Sequence, residues 1–136
     1  MIFEHNNQIM IAGIGTDIVE VYRIEEKLQK NERFKTHVFS EAEIAYCEKQ
    51  KKPNIHFAAR WAVKEAYLKA IGVQFIGNHR LPEIETLHFE NGKPFIHLLG
   101  NAKQNFLNQK CKAIHVSISH TEINAIAFVV IESDTF

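Results

Sequence analysis

The longest helix-forming stretch of the chain, residues 54–72, limits most strongly what the protein can fold into. Its sequence, NIHFAARWAVKEAYLKAIG, is dominated by Ala, Leu, Lys and Glu, which favour helix. Pro53 stands just ahead of it, and Gly72 is placed to end it. Small residues recur along the stretch at Ala58, Ala59, Ala62 and Ala66. Because small side chains allow a close approach to a neighbour, we predict a long central helix that is partly buried in spite of its charges.

Five other segments are predicted as strands from their β-branched and alternating residues. They are residues 11–21, 83–90, 93–99, 113–120 and 123–132. Gly13 and Gly15 interrupt the first strand, which indicates a close backbone approach or a bulge. The pair Asn91-Gly92 joins the second and third strands and is typical of a hairpin turn.

Three shorter helices complete the predicted elements. Residues 22–34 and 100–112 have helical patterns, and Ser40 and Glu43 form an S-x-x-E capping box that marks another helix start. Helices and strands follow one another in a mixed order and do not alternate strictly. This order predicts an α+β fold, in which an antiparallel sheet packs with the long central helix.

A chain of 136 residues has the size of one domain. We place this domain at residues 10–136. Residues 1–9 are polar and patternless, so we expect a disordered N-terminal extension there. Residues 73–82 are expected to be a loop.

The balance of charges and the absence of targeting patterns narrow the class of protein. Lys plus Arg and Asp plus Glu each number 16, so the net charge of zero gives no reason to expect a nucleic-acid partner. Cys47 and Cys111 lack metal or redox spacing and fit reduced thiols. The sequence has no signal-peptide pattern and no apolar run of about 20 residues, so we expect a cytoplasmic protein without a membrane partner.

Two groups of charged residues lie where the local pattern is otherwise apolar or small. Asp17 interrupts an apolar strand, where a carboxylate must be paired or bind a cation; the alternative is a turn residue at the strand end. On the central helix, Glu65 and Lys69 are one turn apart, beside a basic row of Arg60 and Lys64. These four residues form either an ordinary solvated surface or a phosphate and metal site.

Two further kinds of site find less support in the sequence. In HVSISH, residues 115–120, Ser117 and Ser119 share a strand face with His115, but no nucleophile elbow accompanies them, so alternating Ser on a solvated face is favoured over a hydrolase triad. The eight histidines show no zinc-binding spacing.

Four motifs taken together resemble a known family. GIGTDIVEV at residues 13–21, FAARWAVKEAYLKA at 57–70, GKP at 92–94 and HVSISHT at 115–121 occur in this order. The chain from Met10 to about Glu132 thereby resembles the bacterial holo-[acyl-carrier-protein] synthases, the short single-domain group of 4′-phosphopantetheinyl transferases. The resemblance implies the 4′-phosphopantetheinyl transferase fold. It also implies the reaction, which moves phosphopantetheine from coenzyme A to a serine of apo-acyl carrier protein and releases adenosine 3′,5′-bisphosphate, for fatty acid biosynthesis.

The resemblance also implies roles for individual residues. Asp17 and Glu65 would bind magnesium (Mg²⁺), and with Lys69 they would form the catalytic set. The residues implied for coenzyme A are Arg60, Lys64, Gly92, Lys93, Pro94 and His120. Those implied for the acidic acyl carrier protein are Arg23, Lys30 and Arg33. A homotrimer with active sites between subunits is implied as well.

One departure and two competing functions accompany this interpretation. Family members often carry a glycine-rich GTGIG after the central helix, where this chain has GVQFIG at residues 72–77. We therefore assign that loop no substrate contacts. The alternatives are a module that binds coenzyme A or a carrier protein without transfer, and a metal phosphodiesterase. The intact Asp17, Glu65 and Lys69 argue against the first, and a site with only two carboxylates argues against the second.

Overall fold

Helix α4 (Pro53–Ile71) organises the computed structural model, which describes residues 8–72 and 80–134. Pro53 lies in its first turn, and Gly72 follows its last residue with a φ of 113°, a conformation that favours glycine. Both predicted helix boundaries are therefore confirmed. Most of α4 is buried, including the small residues of its alanine-rich face.

The other elements surround α4 in a mixed order. The helices are α1 (Val21–Lys30), α2 (Glu32–Val38), α3 (Glu41–Glu48) and α5 (Gly100–Asn108). The strands are β1 (Ile9–Glu20), β2 (Ile84–His88), β3 (Pro94–Leu98), β4 (Cys111–His120) and β5 (Asn124–Asp134), and a single 3₁₀ turn at Leu81–Glu83 precedes β2. The α+β class is confirmed.

The strands form two antiparallel sheets, both packed on α4. The larger sheet has the order β1-β5-β4, and the smaller is the β2-β3 hairpin. In the larger sheet, Asp17 lies opposite Ala127 and Ile18 opposite Ile126. Ala127 is fully buried, whereas Ile18 and Ile126 are exposed, so one face of this sheet carries the core and the other is open.

The predicted hairpin turn forms as a three-residue loop. The Phe89 N–H donates to the Lys93 carbonyl at 2.9 Å, and Gly92 has a φ of 87°. A glycine in the left-handed region at the end of such a loop is a common way to reverse a hairpin.

The first predicted helix is in fact two helices. α1 ends at Lys30, and Asn31 is both its C-cap and the N-cap of α2, where the Asn31 side chain accepts a 2.9 Å hydrogen bond from the Arg33 N–H. An Asn side chain competes well for such a backbone donor, which explains the break.

The last predicted helix is shorter than expected. α5 ends at Asn108, because Lys110 adopts a φ of 61° and the chain turns directly into β4 at Cys111.

Three further predictions concern the ends and the long loop. The capping box of Ser40 and Glu43 is confirmed. β1 begins at Ile9, one residue before the predicted domain start. Residues 1–7 of the predicted extension and 73–79 of the predicted loop lie outside the described residues. None of the helices in the described ranges combines the length and apolar character needed to cross a bilayer.

Candidate active site

Strand β1 and helix α4 approach each other backbone to backbone. A Cβ atom added at Gly13 would lie 1.9 Å from the Ala70 carbonyl oxygen, and one added at Gly15 would lie 1.9 Å from that of Ala66. No side chain fits at either position, so glycine is required at both. The close backbone approach predicted from these two glycines is present.

This approach brings Asp17 next to the charged row of α4. Asp17 follows Gly15 on the same strand face, and its Oδ1 lies 3.2 Å from Lys69 Nζ. The Lys69 ammonium also donates to the Thr16 carbonyl at 2.9 Å. The Asp17 side chain is 17% exposed and that of Lys69 is 53% exposed, so the pair lies at the edge of the core, open to solvent on one side.

Glu65 belongs to the same group of charges. Partial burial raises the pKa of the Glu65 carboxyl above its ordinary value, and the Asp17 carboxylate raises it further, while Lys69 and Lys27 act in the opposite direction. Two carboxylates near each other at the mouth of a site repel one another, and a bound cation would relieve that repulsion. The arrangement therefore brings together Asp17, Glu65 and Lys69, the three residues predicted as the catalytic set.

Arg60 lies on a different part of α4 and is almost fully buried, with 2% of its surface exposed. Its guanidinium lies 4.2 Å from the centre of the Tyr46 ring, donates to the His56 carbonyl at 3.3 Å and has Nη2 3.5 Å from Nε2 of His88. Its Nε–H has no hydrogen-bond partner within the described part of the chain. Across residues 8–72 and 80–134, no carboxylate forms an ion pair with Arg60.

Lys64 does not fit the predicted coenzyme A site. Its side chain is fully buried, and its ammonium donates to Glu43 Oε1 at 2.7 Å, to the Leu81 carbonyl at 2.9 Å and to the Ile84 carbonyl at 2.6 Å. All three N–H donors are thus used inside the protein. Lys64 is an internal cation that ties α4 to α3 and β2, and we correct the assignment accordingly.

Comparison with known proteins identifies the family. The family model described as the 4′-phosphopantetheinyl transferase superfamily matches residues 13–126. The chain belongs to this superfamily.

Relatives from this superfamily are similar to this chain over nearly their whole length. A holo-[acyl-carrier-protein] synthase of Clostridium tetani is 42% identical over 92% of this chain and 98% of its own. Among solved structures, the holo-ACP-synthase of Plasmodium yoelii has a TM-score of 0.81 and 31% identity, with 94% of this chain and 99% of that one covered. The synthase of Bacillus anthracis in complex with CoA (3′,5′-ADP) has a TM-score of 0.75 and 34% identity, with 91% and 98% covered.

The remaining predicted coenzyme A residues of this phosphopantetheinyl transferase lie around Arg60 or at the hairpin turn. His120 is exposed at the end of β4, and the centre of its ring is 5.8 Å from that of His56. Gly92 and Lys93 are exposed in the β2-β3 turn. Pro94 is paired with His88, so the turn is joined to the strand residue that contacts Arg60.

The predicted carrier-protein residues lie on the surface formed by α1 and α2. The side chains of Arg23 and Lys30 are 67% and 76% exposed. Arg23 forms an ion pair with Glu20 at 3.5 Å and Lys30 with Glu26 at 3.1 Å, so acidic neighbours offset part of their charge. Arg33 is exposed as well.

Four residues that lie near Glu65 or Arg60 in the structure were not identified from the sequence. Lys27 lies 4.9 Å from the centre of the Trp61 ring and close enough to Glu65 to affect its pKa. Tyr46, His56 and His88 surround Arg60. Lys27 and His56 had a signal in the sequence, since each stands one helical turn from a predicted residue, Arg23 and Arg60 respectively.

Proposed function

We propose that the chain is a holo-[acyl-carrier-protein] synthase. It transfers the 4′-phosphopantetheine arm of coenzyme A to a serine of apo-acyl carrier protein and releases adenosine 3′,5′-bisphosphate. The observation that carries this proposal is the meeting of Asp17, Glu65 and Lys69 at one partly open site, with an Asp17–Lys69 distance of 3.2 Å. The activity for which the Clostridium tetani relative is named and the ligand of the Bacillus anthracis structure support it.

The two carboxylates fit a magnesium site. Mg²⁺ prefers oxygen ligands, is commonly held by one or two carboxylates, and takes the rest of its shell from water and substrate phosphates. The described residues contain no group of three or more His, Cys, Asp or Glu side chains that would serve a metal with an all-protein shell. Asp17 and Glu65 would hold the ion, which supplies positive charge to the coenzyme A pyrophosphate when bound.

The reaction exchanges one phosphorus–oxygen bond for another. The carrier serine Oγ attacks the phosphorus that bears pantetheine, and the bond from that phosphorus to the bridging oxygen breaks. The bridging oxygen leaves with adenosine 3′,5′-bisphosphate. Lys69 lies beside Asp17 with its side chain half exposed, and it stabilises the negative charge that develops on the phosphate oxygens. Either Glu65 or a water at the site accepts the serine proton.

The nucleotide part of coenzyme A is assigned to the Arg60 region. The buried guanidinium lacks an ion-pair partner in the described chain, and it binds the 3′-phosphate. Gly92, Lys93 and Pro94 line the nucleotide pocket from the hairpin turn, and His120 lies near the phosphates.

The open face of the larger sheet supports a homotrimer. Ile14, Ile18, Ile126 and Phe128 are between 41% and 65% exposed and lie together on this face. Monomers rarely leave so large an apolar area in contact with water. Ile14 and Phe128 also line a pocket of about 330 Å³ that contains Lys69, and His120 lines another pocket with Ile18 and Ile126. In a trimer packed through these faces, Lys69 of one subunit and His120 of the next complete one coenzyme A cleft.

The remaining parts of the proposal concern partner and location. The exposed cations Arg23, Lys30 and Arg33 attract the acidic acyl carrier protein. The reaction takes place in the cytoplasm and supplies carrier protein for fatty acid biosynthesis.

A single experiment separates this function from its two competitors. The pure protein is mixed with coenzyme A, Mg²⁺ and apo-acyl carrier protein, and the carrier is weighed by mass spectrometry. A gain of one phosphopantetheine is expected. Free cleavage of coenzyme A would instead identify a phosphodiesterase, and an unchanged carrier with intact coenzyme A would identify a binding module.

A further inference from the structure

Among residues 8–72 and 80–134, the environment of Arg60 contains imidazoles but no carboxylate that forms an ion pair with it. A buried cation without a counter-ion is costly, which indicates that an anion completes the site. Glu43, a fully buried carboxylate on α3, is engaged by Lys64 and by the Thr86 N–H. Burial raises the pKa of Cys47, also on α3, to about 12, so this thiol adds no charge at neutral pH.

His88 faces the guanidinium in its neutral form. Arg60 can only donate hydrogen bonds, so Nε2 of His88, 3.5 Å from Nη2, must be the acceptor. The His88 ring stacks on the Tyr46 ring at 4.4 Å between centres and 13° between planes, which fixes its orientation. Burial and then the Arg60 charge lower the pKa of His88 below its ordinary value.

His56 approaches the same region from α4. Its carbonyl accepts from Arg60, and its ring lies 5.9 Å from Tyr46 and 5.8 Å from His120, centre to centre. Burial lowers the pKa of His56, and the charge of Arg60 lowers it further. Two imidazoles that are neutral in the free protein therefore stand beside one buried guanidinium.

We propose that His56 and His88 make this a proton-accepting phosphomonoester site, in which binding of the 3′-phosphate of coenzyme A is accompanied by protonation of an imidazole. This proposal rests on the proposed function, since coenzyme A is the ligand that brings the 3′-phosphate. Arg60 supplies one positive charge, whereas a phosphomonoester carries close to two negative charges at neutral pH. One added proton on His88 or His56 brings the site to balance and turns a hydrogen-bond acceptor into a donor towards the phosphate.

Two consequences follow for binding. Affinity for a 3′-phosphorylated nucleotide rises as the pH falls from about 8 to about 7, by up to about tenfold for one coupled proton. A nucleotide without the 3′-phosphate lacks this dependence. His56 and His88 thereby distinguish coenzyme A from its dephosphorylated form by charge.

The test measures protons taken up on binding, in the absence of Mg²⁺ and carrier protein. Adenosine 3′,5′-bisphosphate and adenosine 5′-phosphate are each titrated into the full chain by calorimetry at pH 7, in two buffers with different heats of ionisation. We expect uptake approaching about one proton for the bisphosphate beyond that for the monophosphate. Equal uptake for the two nucleotides, or no binding of the bisphosphate, overturns the proposal.

Variants assign the proton to the two rings. His88→Gln keeps an acceptor for Arg60 but cannot be protonated, and it should remove most of the uptake; His56→Gln should remove the remainder. His37→Gln, on the exposed surface of α2, is the matched control and should behave as the wild type. Circular dichroism checks each fold, and full uptake in a folded double variant contradicts the assignment.

The proposed function can fail independently. A wild-type protein that transfers no phosphopantetheine yet shows bisphosphate-specific uptake would retain this inference and lose the function. A protein that transfers phosphopantetheine normally without such uptake would retain the proposed function and lose this inference.

Discussion

Glu43 and Lys64 form an ion pair in which 2.7 Å separates Oε1 from Nζ and neither side chain is exposed. The two residues belong to α3 and α4, and the Thr86 N–H of β2 donates to the other Glu43 oxygen at 3.0 Å. The pair therefore joins three elements in the interior. Lys64 immediately precedes Glu65 in the chain. The ion pair therefore belongs to the framework that supports the candidate active site.

Replacement of Lys64 by Met should destabilise the protein strongly. The variant leaves the Glu43 carboxylate buried without its cation, and removal of one partner of a buried pair typically costs about 3–5 kcal/mol. Urea denaturation measures the loss, with the exposed Lys51→Met as control, for which a change within about 0.5 kcal/mol is expected. A Lys64→Met protein of normal stability but weak coenzyme A affinity would reinstate the role in substrate binding.

Replacement of Asp17 or Glu65 by Ala should abolish transfer and preserve the fold. Burial and Asp17 raise the folded-state pKa of Glu65, so the stability linked to its protonation is lost as the pH rises through that pKa. At pH 7 without Mg²⁺, the Glu65 variant should therefore melt no lower than the wild type. Carrier mass and thermal melting are the two readouts, and Glu90→Ala, an exposed residue of the hairpin turn, is the control. Near-normal turnover in either variant would contradict the metal assignment.

Gly15→Ala should disrupt the contact between β1 and α4. The added Cβ would stand 1.9 Å from the Ala66 carbonyl oxygen, so strand and helix must separate. We expect a loss of at least about 1–3 kcal/mol in urea denaturation and a large loss of transfer. Thr16→Ala, at the next position on the exposed face, should change stability far less. A soluble Gly15→Ala enzyme with full activity would show that the approach is not required.

Charge substitutions on the open sheet face should produce inactive monomers. Phe128→Lys places a charge where neighbouring subunits are proposed to meet, and Phe128 is 46% exposed in the single chain, so the subunit itself should still fold. Light scattering and the transfer assay provide the readouts, and Lys49→Glu, at the exposed C-terminal end of α3, serves as control. An active monomer, in the variant or in the wild type, would reject a site shared between subunits.

Arg23→Glu should weaken binding of the carrier protein and leave binding of coenzyme A unchanged. Arg23 is 67% exposed on α1, and the zero net charge of the chain leaves attraction to local patches. The KM for apo-carrier should rise, most at low ionic strength, while that for coenzyme A stays constant. Lys51→Glu carries the same change in charge at an exposed position outside α1 and α2. An unchanged KM for the carrier would leave Arg23 an ordinary solvated residue, since single surface charges often contribute little.

Local patterns in the sequence predicted the elements well. Pro53, Gly72 and the Ser40–Glu43 capping box act through neighbours within a few residues, and each has the predicted effect in the structure. The break at Asn31 is also local, but a helical pattern on both sides of it concealed the change of direction.

Contacts between distant elements were harder to predict. Lys64 and Arg60 lie one turn apart on the same side of the central helix, and both were assigned to coenzyme A binding. Lys64 meets Glu43, 21 positions away, whereas Arg60 meets His88, 28 positions away. No periodicity encodes these encounters, because they depend on how α3 and the hairpin are placed against α4. Tyr46 and His88, which contact Arg60 from α3 and β2, were missed for the same reason.

The glycine contacts between β1 and α4 set a limit on how this protein can be re-engineered. Gly15 and Ala66 bring main chain against main chain, so the spacing between the two carboxylate-bearing elements is determined by peptide geometry and not by the size of any core side chain. Substitution of core side chains cannot increase this spacing unless β1 separates from α4. A designer who wants to enlarge the proposed metal site must therefore alter side-chain length at Asp17 or Glu65 and leave the backbone beneath them as it is.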